Sequence, residues 1–111
     1  MADPIYLHET DEPEIYVSRK NASTGADEPA TGLTTLAVTY AATEEGSAIH
    51  SSLSKTLAER AQNPGTYYAS ILGTDKAAHL SVGDTVYRRY HDGPTNVDTA
   101  HPMIVELVRT V

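Results

Sequence analysis

Residues 66–72 read Thr66-Tyr67-Tyr68-Ala69-Ser70-Ile71-Leu72, a β-rich run closed by Gly65 on one side and Gly73 on the other. Successive side chains of a strand point to opposite faces, so Tyr67 and Tyr68 divide between the two sides of a sheet. Upstream, Asn63-Pro64-Gly65 forces a turn. Before that turn, Ile49 to Leu57 is ambiguous. Ile49, Leu53 and Leu57 recur every four residues as in a helix, but Ser51, Ser52 and Ser54 lower helix propensity and favour a strand. Leu33 to Tyr40 alternates, with Leu36, Val38 and Tyr40 opposing Thr35, Ala37 and Thr39, as a half-buried strand does. Glu14 to Arg19 predicts a first strand with Ile15 and Val17 on one face. A loop of about thirteen residues follows, Lys20 to Gly32, long enough to be a hinge or a binding loop.

Downstream, Thr74 to Leu80 predicts one helical turn capped by Thr74 or Asp75, with Ala77, Ala78 and Leu80 closing an end of the core. Val82-Gly83-Asp84 turns the chain into Thr85 to Tyr90, where Val86, Arg88 and Tyr90 oppose Thr85, Tyr87 and Arg89. Asp92, Gly93 and Pro94 end that strand, and Met103 to Val108 is the last. Six or seven short strands with Gly and Pro between them predict an all-β fold, a two-sheet antiparallel β-sandwich. Its expected core is Leu36, Val38, Tyr67 or Tyr68, Ile71, Val86, Val105 and Leu107.

Charge is segregated along the chain. Residues 1–45 carry nine acids against Arg19 and Lys20, whereas residues 46–111 carry six acids and six bases, so the whole net charge of −7 lies in the first segment. Residues 1–14 hold Asp3, Glu9, Asp11, Glu12 and Glu14 without one base. Repulsion and scarce apolar surface oppose an ordering cost of ~1 to 2 kcal/mol per residue. The expectation is an extended acidic arm, 1–14, outside a sandwich domain, 15–111. The arm would dock on a basic groove of another polypeptide through those acids, with Ile5, Tyr6 and Leu7 as apolar anchors.

No cysteine is present, which excludes disulfides and thiolate zinc sites and fits folding in a reducing cytosol. Residues 1–25 hold no basic n-region followed by an apolar core, so export is not expected, and no stretch of ~18 apolar residues occurs. Nucleic acid and membrane are therefore not expected partners, and only Arg88 and Arg89 stand together as basic residues. These two alternate across a strand, so the expectation is either that one of them faces a carboxylate of a neighbouring subunit or that it stands as a solvent-facing edge charge that blocks aggregation. Seven Tyr with no Phe and no Trp suit thin sheets and half-buried contact surfaces.

Catalytic signals are weak. The histidines at 8, 50, 79, 91 and 101 show no metal-ligand spacing, and the best constellation, His91, Asp92, Asp98 and His101, reads more readily as a polar surface loop. There is no nucleophile elbow, no phosphate-binding glycine loop and no convergent carboxylate pair among Asp27, Glu28, Glu44 and Glu45. No catalytic, cofactor-binding or metal residue is assigned, and no cofactor is expected.

Three segments, Thr31-Gly32-Leu33-Thr34-Thr35-Leu36, Asn63-Pro64-Gly65-Thr66-Tyr67-Tyr68-Ala69 and Val82-Gly83-Asp84-Thr85-Val86-Tyr87, resemble small immunoglobulin-like β-sandwich proteins of tailed bacteriophage particles. The resemblance covers roughly residues 30–110 and departs at His101-Pro102, which interrupts the approach to the final strand. It implies a non-enzymatic virion component, a head-to-tail neck or connector subunit or a capsid decoration protein, made in the host bacterial cytoplasm. Its partners would be portal, neck or capsid subunits and copies of itself. The rival classes are a binding module for a host-surface carbohydrate or protein and a small metal-dependent enzyme built on the His91–His101 loop.

Overall fold

The computed structural model describes residues 3–93, 95–97 and 100–107. In chain order the elements begin with β1 (Asp3–Tyr6), β2 (Glu14–Tyr16), β3 (Ser18–Lys20), β4 (Asp27–Pro29) and β5 (Leu36–Ala41). A 3-10 turn (Ser51–Leu53), β6 (Ser54–Thr56), β7 (Ala58–Glu59), β8 (Thr66–Tyr68) and the helix α1 (Gly73–His79) follow. The chain then forms β9 (Thr85–Asp92), β10 (Thr95–Asn96) and β11 (His101–Glu106). The main sheet runs β1-β11-β9-β5-β6 with β10 attached to β9; a second sheet runs β2-β8-β7; β3 and β4 pair only with each other. The all-β architecture read from the sequence is the one observed. Among the described residues no helix is long and apolar enough to cross a membrane.

One core joins the two sheets. Leu36, Val38 and Tyr40 of β5, Val86 of β9 and Met103 and Val105 of β11 meet Tyr67, Ala69 and Ile71 from the other side, with Leu53, Leu57 and Leu80 closing it. The alternation of Leu33 to Tyr40 thus points as expected, and of the two tyrosines it is Tyr67 that faces inward, fully buried. Its hydroxyl donates to the Ala30 carbonyl at 2.6 Å, which answers the polar end that a buried Tyr must place. Gly65 turns into β8 at φ +85°, and a Cβ there would sit 2.8 Å from Pro29 Cβ, so the turn packs against the end of β4 only because this residue is glycine.

Several expectations are corrected. Residues 3–14 do not form an arm outside the body: β1 pairs in parallel with β11, Asp3 opposite Met103 through Tyr6 opposite Glu106. Ile5 and Leu7 are buried in the core, and Asp11 bridges Ile71 through both backbone hydrogen bonds at 2.9 and 2.7 Å. The expected boundary at residue 14 falls on the first residue of β2. The sandwich is accordingly not wholly antiparallel.

Leu107 is 53% exposed rather than in the core, because β11 ends at Glu106 and Val105 is its last inward residue. Val108 lies outside the described residues. His101 and Pro102 do not delay the last strand but open it, opposite Arg88 and Tyr87. The single strand expected from Glu14 to Arg19 divides into β2 and β3, which belong to different sheets, and the long loop contains β4. Ile49 to Leu57 is neither one helix nor one strand but a 3-10 turn leading into β6. The run from Thr66 pairs as a strand only to Tyr68, with Ile71 returning as a lone bridge to Asp11. In α1 Ala77 and Ala78 are exposed while Lys76 is buried, and no side chain caps the N-terminus.

Candidate interaction surfaces

The N-terminal acids find their partners far away in sequence. Asp3 Oδ2 lies 2.6 Å from His101 Nε2, Asp11 Oδ2 accepts from Lys76 Nζ at 2.6 Å, and Glu14 Oε2 accepts from Arg60 Nε at 2.5 Å. Glu12 stands 3.8 Å from the same arginine. The hydrogen bond that Arg60 donates to Glu14 is the main reason its guanidinium is held above its usual pKa. Of the residues assigned to a docking arm, Ile5 and Leu7 are therefore core residues, Tyr6 and Glu9 are half-buried, and Asp3, Asp11, Glu12 and Glu14 serve internal pairs.

β9 alternates strictly, so Arg88 and Arg89 part company. Arg88 shares the inner face with Val86 and Tyr90: its guanidinium lies 5.3 Å from the Tyr90 ring centroid and hydrogen-bonds Tyr40. Burial, partly offset by Arg88, pushes the Tyr40 hydroxyl far above the normal tyrosine range. Arg89 stands on the outer face, opposite Thr39 of β5. Among the described residues the Nε atoms of both Arg88 and Arg89 are shut off from solvent without a hydrogen-bond partner, and no carboxylate pairs with Arg89. A buried donor left unmade costs about 1–3 kcal/mol, so such a group calls for an explanation.

The rest of this outer face follows from the register. Pro102 sits opposite Tyr87 and Ile104 opposite Thr85, which places both on the same side as Arg89, and Glu106 follows two residues beyond Ile104. Pro102, Ile104 and Glu106 are exposed. Sequence reading saw each strand's alternation but had no means of knowing that β11 lies beside β9.

The second surface is the β3–β4 ribbon. It is tied down at its root, where Val17 N–H donates to Gly65 O at 2.8 Å and Ala30 N–H to Val17 O at 2.9 Å. Beyond the root, every residue from Ser18 to Pro29 is exposed except the half-buried Asn21 and Glu28. Arg19–Glu28 at 3.4 Å and Lys20–Asp27 at 2.9 Å cross-link the strands. Asn21 Oδ1 accepts the Ser23 and Thr24 N–H groups and shapes the tip. The molecule measures 49 × 28 × 27 Å, with a radius of gyration of 15.0 Å against ~13 Å for a compact domain of this length.

His91 and His101 do not converge. His91 Nε2 is 2.7 Å from Thr39 Oγ1 and Nδ1 2.9 Å from Gly93 O, on the outer face, whereas His101 pairs with Arg88 on the inner one. Asp92 hydrogen-bonds Thr35, and Asp98 lies outside the described residues. Among the described residues no three His, Asp or Glu side chains gather as metal ligands would. A polar cleft of roughly 420 Å³ lies between Glu59, Arg60, Gln62, Asn63 and Tyr68, where the Arg60 guanidinium covers one face of the Tyr68 ring at 4.0 Å.

Comparison with protein-family models, with curated protein sequences and with solved structures finds no match.

Proposed function

We propose that this protein is a non-enzymatic structural subunit of a tailed-bacteriophage particle, at the head-to-tail neck or connector or on the capsid surface. In that role it joins portal, neck or capsid subunits and copies of itself. The immunoglobulin-like kinship and the phage setting rest on the three segments that resemble such proteins. The observation that carries the structural role is the β3–β4 ribbon, an element anchored at its root and otherwise serving no part of the core. Among the described residues its two outer strand edges are unpaired, and an exposed strand edge is a template for pairing with another chain. The internal pairing of the N-terminal acids moves the contact role from an arm to this ribbon and to the sheet surfaces.

The test is a variant in which residues 19–28 are removed and the ends joined by a short glycine-containing turn. It should melt as the parent does yet be missing from purified particles of the phage whose genome encodes the chain. Parental copy number for that variant, or absence of the wild-type protein from such particles, would refute the proposal.

A second reading, a carbohydrate-binding module, is favoured by the Glu59–Tyr68 cleft, which combines an aromatic ring with several hydrogen-bonding groups. Saccharide-induced shifts of the Tyr68 ring resonances would support it.

A further inference from the structure

We infer that the outer face of the main sheet is a two-fold contact with a second copy of this chain, in which Arg89 of each copy meets Glu106 of the other. The inference rests on the structural-subunit reading and names one partner of that subunit.

The register carries the argument. Met103 lies opposite Val86 and Ile104 opposite Thr85, so continuing β11 by two residues sets Glu106 beyond the start of β9, consistent with Gly83 N–H donating to Val105 O at 2.8 Å. Arg89 and Glu106 are thus at opposite ends of one face, about six residue steps or ~20 Å apart along the strand direction and one strand over. Midway between them stand Tyr87 and Thr85 of β9 and Pro102 and Ile104 of β11. A two-fold axis parallel to the sheet and just above its outer face, across the strands at the level of Val86 and Met103, carries each Arg89 onto the level of the other copy's Glu106. The same axis sets Pro102 at the level of the other copy's Ile104 and Tyr87 at the level of its Thr85. This is the self-complementary arrangement that an isologous contact requires: opposite charges at the two ends and apolar side chains flanking the axis.

Each charge is available for that exchange. No ion pair engages Arg89 or Glu106 among the described residues, although every other Lys or Arg described, apart from Arg88, has a carboxylate partner. Arg88 takes Tyr40 and Tyr90 instead. A second copy is preferred to an unrelated acidic partner because the acid that complements Arg89 stands on the same face, at the distance the symmetry needs.

The size of the face sets the strength. Five strands ~4.8 Å apart and three to eight residues long present on the order of 400 Å² in projection. That is the low end for a specific interface, so the dimer should be weak and concentration-dependent.

The experiment is sedimentation equilibrium of the full chain from micromolar to millimolar concentration, with circular dichroism to verify folding. Wild type should show a monomer–dimer equilibrium. Arg89→Glu and Glu106→Arg, which each set like charges against one another, should each weaken it by roughly tenfold or more. The double variant Arg89→Glu/Glu106→Arg should recover most of the loss. Ile104→Asp, beside the axis, should also weaken association while leaving the melting curve in place. A protein that stays monomeric throughout, or a dimer indifferent to all four variants, overturns the inference. Neither result touches the particle-subunit reading, which falls only if the protein is absent from particles or if ribbon removal leaves its incorporation intact.

Discussion

Removing the Asp11 carboxylate should be among the most damaging single changes in this protein. Lys76 Nζ is fully buried and 2.6 Å from Asp11 Oδ2, whereas the Asp11 side chain is 28% exposed. Breaking a fully buried ion pair from one side costs ~3–5 kcal/mol, because the remaining charge keeps its desolvation penalty and loses its partner. Water reaching the vacated side of the pair reduces that to about 2–3 kcal/mol for Asp11→Ala. With an unfolding entropy of ~2.1 cal/mol/K per residue, a chain of this length loses about 4 °C per kcal/mol, or roughly 8–12 °C in Tm. The backbone bonds between Asp11 and Ile71 survive in the alanine variant, so the loss reports the carboxylate. Lys76→Met replaces the ammonium with an apolar chain of similar length and should lie within about 1 kcal/mol of wild type. In that background Asp11→Ala should cost less than ~1 kcal/mol, since no cation remains to be stranded. Urea unfolding of the four proteins, compared at constant m, measures the cycle. An Asp11→Ala penalty of equal size in both backgrounds, or none in wild type, would refute the reasoning.

The buried Tyr40 hydroxyl is held protonated well above the normal tyrosine range, chiefly by its burial. Its stabilising contribution is complete below the unfolded tyrosine pKa of ~10 and declines as pH rises beyond it. Wild type should therefore lose stability above about pH 10, and Tyr40→Phe should lose less over the same interval, as read by denaturant midpoints across that range. Ile71→Ala should cost ~2–5 kcal/mol because Ile71 is fully buried, whereas Leu107→Ala, at an exposed position, should change stability by less than ~0.5 kcal/mol. Thermal melts of the two variants test whether β11 ends where the structure ends it.

The charge pattern takes on a different meaning once the chain is folded. An acidic N-terminal stretch without a base looks as though it must seek a foreign partner, yet Arg60, Lys76 and His101 pair with it from sites 46 to 98 residues away in sequence. Repulsion within residues 3–14 is a property of the isolated segment. In the folded chain it is offset by pairing and by the burial of Ile5 and Leu7, which a sequence count treats as too little apolar surface.

The all-β class and most of the core are legible in the amino-acid order, because both follow from period-two alternation, which is local. Leu36, Val38, Ile71, Val86 and Val105 could be assigned an inward phase from their own strands alone, and all five are buried. The α1 turn and the glycine-bounded strand at β8 were legible for the same reason, as propensity and turn chemistry act over a few residues. Which strands are neighbours emerges only in the folded chain, since pairing is a long-range choice that a strand's own residues do not encode. That choice placed β1 beside β11, separated Arg88 from Arg89 into an inner and an outer role, set His91 and His101 on opposite faces, and ended β11 one residue before Leu107. It also placed Glu106 on the same face as Arg89: sequence reading could see that each strand alternates, but only the register between β9 and β11 put the two charges on one surface.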